Sequence, residues 1–344
     1  MEHKLLLIRV DGSKTIGGGH IMRDLAVADA WAQKGGMVMF ASAELPEELQ
    51  EKVCSHGHSV KHIPAVRGTS EDAKITKELA LKEEVSAMIL DGYCFNEEYH
   101  AQIMNNLYSL AVYDDHGHIS SYRSDILINQ NIHAKPEFYK GKVTNSKLLL
   151  GPKFAAIRHD FLDIKRKVKG DDYKKVILSL GLSNTTKIIT QVLDVLEQFQ
   201  ILNLEIEVLS SGNDIAELKK NITKDRQNIK LIEFDEQFAT RLNNSDIAIL
   251  AGGGTALEAS YLGLPMILIC IAENQSPAYL EFVNSGVALG GGYAENFNFE
   301  KFHSVMDEYL TKPDLRKNMS MKAYNTVDGK GAIRVAEEIM CSIH

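Results

Sequence analysis

Short apolar runs alternate with segments of helical period along the whole chain, and each half of that alternation holds one glycine-rich turn. Residues 5–10 read as a buried strand and 20–34 as a helix with Ile21, Leu25, Ala28 and Ala32 on one stripe. Strand patterns at 38–42, 59–63, 87–90, 110–113 and 126–128 follow, with helical patterns at 47–56 and 70–84. A strand that is apolar on both faces must be covered on both, so this order predicts a parallel sheet flanked by helices. The rhythm restarts with strands at 175–180, 205–209, 229–232, 247–250 and 265–271. Helices at 188–199, 215–222, 237–243 and 255–262 alternate with them, and from Phe302 the chain reads as mostly helical.

Between the halves, residues 163–172 are a charged run containing one glycine, which reads as a linker. The expectation is therefore α/β: two Rossmann-like domains facing an interdomain cleft. They span 1–162 and 173–325, and a terminal helix within 326–344 packs back on the first. A length of 344 residues fits about two domains. The composition, 44% apolar and 24% charged with 7 Pro and 25 Gly, excludes a disordered chain, a collagen-like repeat and a disulfide scaffold. A formal net charge of −8 makes nucleic acid and anionic membranes poor partners, so an anionic ligand must be held by local devices. Cys54, Cys94, Cys270 and Cys341 lie far apart with no C-x-x-C pair, as reduced thiols do. The first apolar run is cut short by Arg9 and Asp11, too early for a signal peptide. Residues 266–272, the longest apolar run, fall far below the roughly 20 that a membrane helix needs. A cytoplasmic monomer is expected.

The first turn runs from Asp11 through Gly17, Gly18 and Gly19 to His20. Glycines let backbone approach a ligand closely, and the helix that follows offers unpaired amides and a partial positive charge. This is neither a Walker A loop nor a dinucleotide fingerprint: Met22 stands where the third glycine belongs, and Glu44 lies in a proline-containing loop. At a helix start the dipole favours a neutral imidazole, which suits His20 to general-base work; a histidine capping its own helix is the alternative. The second turn is Gly252-Gly253-Gly254-Thr255, with Glu258 three residues on. Thr255 and Glu258 have capping-box spacing, or Glu258 accepts two hydrogen bonds from ribose hydroxyls. One anion-seeking helix end per half fits a diphosphate-containing ligand. No D-x-D triplet occurs, so nothing points to a metal bridging that diphosphate. Asp114-Asp115-His116-Gly117-His118 could ligate a metal, but a strand-end turn with an N-cap aspartate accounts for it as well.

With these residues in hand, a family resemblance emerges. Arg9-x-Asp11-x4-Ile16-Gly17-x-Gly19-His20-x2-Arg23-x-Leu25 resembles the opening motif of bacterial UDP-sugar hydrolases of pseudaminic acid biosynthesis, which are grouped with spore-coat polysaccharide proteins. Those enzymes act on UDP-2,4-diacetamido-2,4,6-trideoxy-β-L-altropyranose. The resemblance continues through Leu90-Asp91-Gly92-Tyr93, Asp114-Asp115, Asn129-Gln130-Asn131, Gly151-Pro152, the second glycine turn, Glu273-Asn274-Gln275 and Val327-Asp328-Gly329. The second half also looks like the UDP-binding domain of lipid II N-acetylglucosaminyltransferases, and both families are GT-B.

By that resemblance, His20 is implied as the base, with Tyr93 and Asn274 near the sugar or the attacking water. Glu258 would hold the ribose, the region of Phe234 would read uracil, and the amides of Gly254, Thr255 and Ala256 would meet the diphosphate. Asp11, Gly17, Gly19, Arg23, Gly181, Ser183, Gly253 and Gln275 are expected along the substrate. The family usually has Gly-Gly-Ser-Asp where this chain has Gly181-Leu182-Ser183-Asn184, which points to a related, differently substituted UDP-sugar. No cofactor and no metal are implied. The reaction expected is hydrolysis to free sugar and UDP. The alternatives are a GT-B glycosyltransferase, in which His20 would deprotonate an acceptor, and a non-catalytic sugar-nucleotide-binding protein.

Overall fold

Leu5–Val10 (β1) is almost wholly buried, as a strand between two helical layers must be. The chain then alternates through α1 (Gly19–Gln33), β2 (Met37–Ser42), α2 (Glu47–Ser55), β3 (Ser59–His62), α3 (Ser70–Lys82), β4 (Ala87–Asp91), α4 (Glu97–Ile103), β5 (Ser109–Tyr113), β6 (Ile126–Asn129) and β7 (Lys147–Leu150). These strands form one seven-stranded sheet in the order β3-β2-β1-β4-β5-β6-β7, every pairing parallel. The second series is α5 (His159–Leu162), β8 (Lys175–Ser179), α6 (Thr186–Glu197), β9 (Glu205–Ser210), α7 (Gly212–Asn221), β10 (Ile229–Glu233), α8 (Phe238–Asn244), β11 (Ile247–Ala251), α9 (Gly254–Tyr261), β12 (Met266–Cys270), α10 (Ser276–Asn284), β13 (Ala288–Tyr293), α11 (Phe299–Thr311) and α12 (Pro313–Thr326). Its sheet has six strands, β10-β9-β8-β11-β12-β13, again all parallel. The last helix is α13 (Gly331–Cys341). This computed structural model describes residues 4–13, 17–181, 185–199, 203–221 and 228–343.

The chain divides into two units, residues 1–158 with 329–344, and residues 159–328. In the first, period-2 alternation sends Leu6, Ile8 and Val10 to one face, where Leu25, Ala28 and Trp31 of α1 and Val335, Ala336 and Ile339 of α13 close the core. Leu7, Met88 and Leu90 go to the other face with Ala73 and Ala80 of α3 and Tyr99 of α4. Arg9 also points there, fully buried. Its guanidinium donates to both oxygens of Asp72 at 3.0 and 2.7 Å and lies 2.8 Å from Asp11. Gly331 opens α13 against the backbone of Ala155, so close that a β-carbon would stand 2.1 Å from the Ala155 carbonyl oxygen.

Residues 163–172, expected as a linker, fall inside the second unit, and three of them are held by contacts that spacing along the chain does not reveal. Arg166 is held between the rings of Tyr261 and Tyr324 and donates to the carbonyls of Tyr261, Tyr324 and Val327. Buried Lys169 donates to the carbonyls of Asn243 and Ser245, and burial pulls its ammonium pKa down to about 8. Gly170, at φ +114°, fits against the backbone of Arg316 and Lys317 where a side chain would not. The second core joins Val176, Leu178, Ile206, Ile247 and Ile267 of the sheet to Val192 and Leu196 of α6 and Phe302 and Met306 of α11. Helix α4, strand β7, helix α10 and strand β13 carry no pattern strong enough to read from sequence; β13 is Ala-Leu-Gly-Gly-Gly-Tyr. Among the described residues, no helix is long and apolar enough to cross a membrane.

Candidate active site

Each sheet reverses its winding direction once: between β1 and β4 in the first unit, and between β8 and β11 in the second. At such a reversal two neighbouring strands send their following loops to opposite sides, which opens a crevice at the carboxyl ends. The first glycine turn follows β1 and Asp91-Gly92-Tyr93 follow β4, while Gly181 follows β8 and the second glycine turn follows β11. The topology, rather than the glycines alone, makes these the two candidate site regions.

In the first unit the turn after β1 closes on itself, with Gly17 donating to the Ser13 carbonyl at 2.8 Å and adopting φ +79°. Helix α1 then starts at Gly19 with Gly18 as its N-cap and no side-chain cap. His20 therefore does not cap its helix. Its ring turns toward the β4 and β5 ends, with Nδ1 3.6 Å from Asp91 and Nε2 4.0 Å from Asp115. Asp91 reaches this place by register: Ala87 and Ile89 pack on the α1 face, and two residues further on the alternation presents Asp91 on that face too. Across the sheet it pairs with Val10 and Tyr113.

Arg23, one turn along α1 from His20, donates to both oxygens of Asp91 at 2.5 Å each and to Asp115 at 2.9 and 3.2 Å, over the ring of Tyr113. Asp115 also accepts from the Tyr93 hydroxyl at 2.7 Å and from Asn131 at 2.9 Å. Although burial opposes its charge, the Arg23 guanidinium and these donors hold the Asp115 carboxyl well below the usual range. Burial, reinforced by Asp115, raises the Tyr93 phenol, so it stays a hydrogen-bond donor. The ring of Tyr93 packs edge-on against His20 at 5.1 Å, with His116 and His118 at 5.2 and 5.9 Å.

Three of the features singled out in the sequence are engaged in contacts within the protein. Asp11 is buried and accepts from the amides of Ala43 and Glu44 at 2.7 and 3.0 Å while pairing with Arg9, so its carboxylate anchors the β2–α2 loop. Arg23 is likewise committed to the two carboxylates. The 114–118 turn is built around Asp114, which accepts from Tyr122, Tyr139, the Gly117 amide and His118 at 2.7, 2.6, 2.6 and 3.1 Å. Among the described residues, no group of three or more His, Cys, Asp or Glu is placed to hold a metal ion.

In the second unit, α9 begins at Gly254 with Gly253 as N-cap, and no side chain caps it. Thr255 thus stands inside the first turn of the helix, so the capping-box reading of Thr255 and Glu258 fails. The Ala256 amide already donates to the Gly253 carbonyl at 3.0 Å, which leaves Gly254 and Thr255 as the helix-start amides without an intrahelical acceptor. A β-carbon on Gly254 would meet nothing within 4 Å, so this turn is open. Gln275 borders it, its side-chain nitrogen 4.0 Å from where a Gly253 β-carbon would stand; Asn274 beside it is exposed. Glu258 is half-buried one helical turn beyond Gly254. Phe234, after β10, packs its ring on Phe238 at 5.5 Å. Gly181 takes φ +101° with open space around it, and Ser183 lies outside the described residues. The predicted site residues thus sort into two groups. Gly17, Gly19, His20 and Tyr93 gather in the first unit; Gly253, Gly254, Thr255 and Gln275 gather in the second. Sequence reading passed over Asp91, Asp115 and Asn131 as site residues and missed Asp24 and Tyr113 altogether. The spacing of Asp24, four residues after His20 on one helix face, was the signal available for it.

The fold is GT-B in class, with two Rossmann-like units. Residues 177–335 match the glycosyltransferase family 28 C-terminal domain, the region that holds the second glycine turn. More particularly, the chain is similar to the UDP-2,4-diacetamido-2,4,6-trideoxy-beta-L-altropyranose hydrolase of Campylobacter jejuni, 26% identical over 78% of this chain and 93% of that protein. It is also similar to the spore coat polysaccharide biosynthesis protein SpsG of Bacillus subtilis, 26% identical over 63% of this chain; that match spans 62% of the relative's length. Among solved structures, MurG of Acinetobacter baumannii superposes with a TM-score of 0.70 at 14% identity, covering 98% of this chain and 99% of that one. The resemblance carried by the motifs is therefore found over most of the chain.

Proposed function

We propose that this protein hydrolyses a UDP-linked 2,4-diacetamido-2,4,6-trideoxy sugar, or a closely related one, to the free sugar and UDP in the synthesis of a surface glycan. The observation that carries the reading is His20 at the opening of α1, facing Asp91 and Asp115. Water attacks the anomeric carbon while His20 takes its proton. The bond from that carbon to the diphosphate oxygen breaks, and its electron pair leaves with UDP. The imidazolium formed would lie within 4.0 Å of two carboxylates, which stabilise the positive charge as it develops. Tyr93, kept protonated by Asp115, is assigned to donate to the sugar or the water, and Asn274 to the same end of the substrate. The nucleotide is assigned to the second unit: the amides of Gly254 and Thr255 for the diphosphate, Glu258 for the ribose and the Phe234 region for uracil. General-base help is worth about 10²–10⁴-fold; positioning and fixed dipoles supply the rest. UDP is a reasonable leaving group, so no strong general acid is required.

The glycosyltransferase family 28 match over 177–335 favours one other reading, transfer of the sugar to an acceptor hydroxyl deprotonated by the same His20. Release of UDP from candidate UDP-diacetamido sugars in buffer without acceptor, followed by phosphorus and proton NMR, separates the two. Turnover that strictly requires an acceptor would overturn hydrolysis.

A further inference from the structure

Asp24 stands out among the buried charges of the first unit. It is wholly buried in the middle of α1, and neither carboxyl oxygen has a donor within reach. The groups facing it come from each neighbouring element: Arg23 on its own helix, Asp91 from β4 and Tyr113 from β5. Asp115 and Tyr93 complete the same cluster through Arg23 and Asp91. All the fork hydrogens that Arg23 directs at this cluster go to Asp91 and Asp115. One guanidinium already faces two carboxylates, and a third ionised carboxylate with no donor at all would be an uncompensated buried charge. Asp24 and Asp91 are both wholly buried in the same cluster around Arg23, and two carboxylates share such a dry site only when one of them carries a proton. Asp91 accepts from Arg23 on both oxygens, so the proton belongs to Asp24.

We propose that Asp24 is a neutral carboxylic acid that donates its proton to Asp91 and so fixes the Asp91 carboxylate against Arg23 and beside His20. It is a positioning residue for the base and rests, in that role, on the hydrolase reading. Its protonation does not. Burial and the Asp91 charge both act in that direction, pushing the Asp24 carboxyl well above the ordinary carboxylate range.

The test uses the full chain in three forms: wild type, Asp24→Asn and Asp24→Val. Asparagine keeps a donor toward Asp91 and is uncharged; valine keeps the approximate shape without a donor. Infrared spectra from pH 6 to pH 8 are expected to show a protonated-carboxyl carbonyl band in the wild type that vanishes in Asp24→Asn. A wild type without that band, or a band that persists in Asp24→Asn, overturns the protonated state whatever the protein catalyses. UDP release is then expected to stay within about threefold in Asp24→Asn and to lose at least about tenfold in kcat, with KM unchanged, in Asp24→Val. Equal activity in the two variants overturns the positioning role. If the wild type releases no UDP from any candidate sugar, the hydrolase reading fails while the infrared result still decides the proton.

Discussion

The two glycine turns lie on opposite sides of their sheets' reversals, the first after β1, the inner strand of its unit's first half, and the second after β11, the strand that corresponds to β4, and they are furnished in opposite ways. Around the first, side chains do everything: His20, Arg23, Asp91, Tyr93 and Asp115 form one connected cluster of charge and hydrogen bonds. Around the second, the backbone does most of it. Gly254 and Thr255 have amides without an intrahelical acceptor, space is open at Gly254, and Gln275 borders the turn. A group that moves protons must have a tuned electrostatic surrounding, whereas a diphosphate is well served by fixed amides and a helix dipole. The difference supports the proposed division, chemistry at the first turn and anion binding at the second.

The sharpest way to break that assignment is His20→Ala. It is expected to lower UDP release about 10²–10⁴-fold while leaving UDP affinity, measured calorimetrically, unchanged. Activity close to wild type would remove the first turn from the chemistry. Next comes Asp72→Ala on the opposite face of the first sheet, which leaves the fully buried Arg9 with Asp11 as its remaining carboxylate. Loss of one partner of a buried pair costs about 3–5 kcal/mol, and the remaining Asp11 sets the expected loss at about the lower figure. Urea unfolding read by Trp31 should show it, since this buried side chain is the chain's single tryptophan and belongs to the first unit. The converse probe of the second turn is Gly254→Val. Since a β-carbon there meets no protein atom within 4 Å, it is expected to spare the fold but weaken UDP binding by about tenfold or more, some 1.4 kcal/mol. Unchanged UDP affinity would move the diphosphate elsewhere.

The gentlest expected effect is graded and concerns acid. Asp72, Asp114 and Asp115 of the first unit all have carboxyls held below their ordinary value by donors that outweigh burial: Arg9 for Asp72, Arg23 for Asp115, and His118 with two tyrosines for Asp114. A carboxylate depressed in the folded state binds fewer protons there than when unfolded. Its stabilisation is thus present above the unfolded value near pH 4 and fades as pH falls below it. Trp31 fluorescence should therefore report falling urea midpoints for the first unit between pH 5 and pH 3. A midpoint that does not move over that interval would deny these carboxylates their assigned state.

Much of this molecule could be read in advance because periodicity is local. Each strand of the predicted series is present, and His20, Gly17, Gly253 and Gly254 stand at strand-to-helix turns as their spacing implies. Thr255 was misread because a capping box depends on where the helix begins, and that is one residue earlier, at Gly254. In the charged run 163–172, hydrophobicity does not announce that an arginine will lie between two tyrosines more than sixty residues apart.

By itself the sequence determined the class of fold and the two turns and singled out His20 as the expected base, since apolar period, glycine and histidine each act over a few neighbouring residues. Only the tertiary structure decided which carboxylates surround that base. Asp91 and Asp115 come from different strand ends, and Asp24 from the helix packed over them. Their charge states depend on burial and on one another, quantities that exist only once the sheet has set its register and the helix has closed on it.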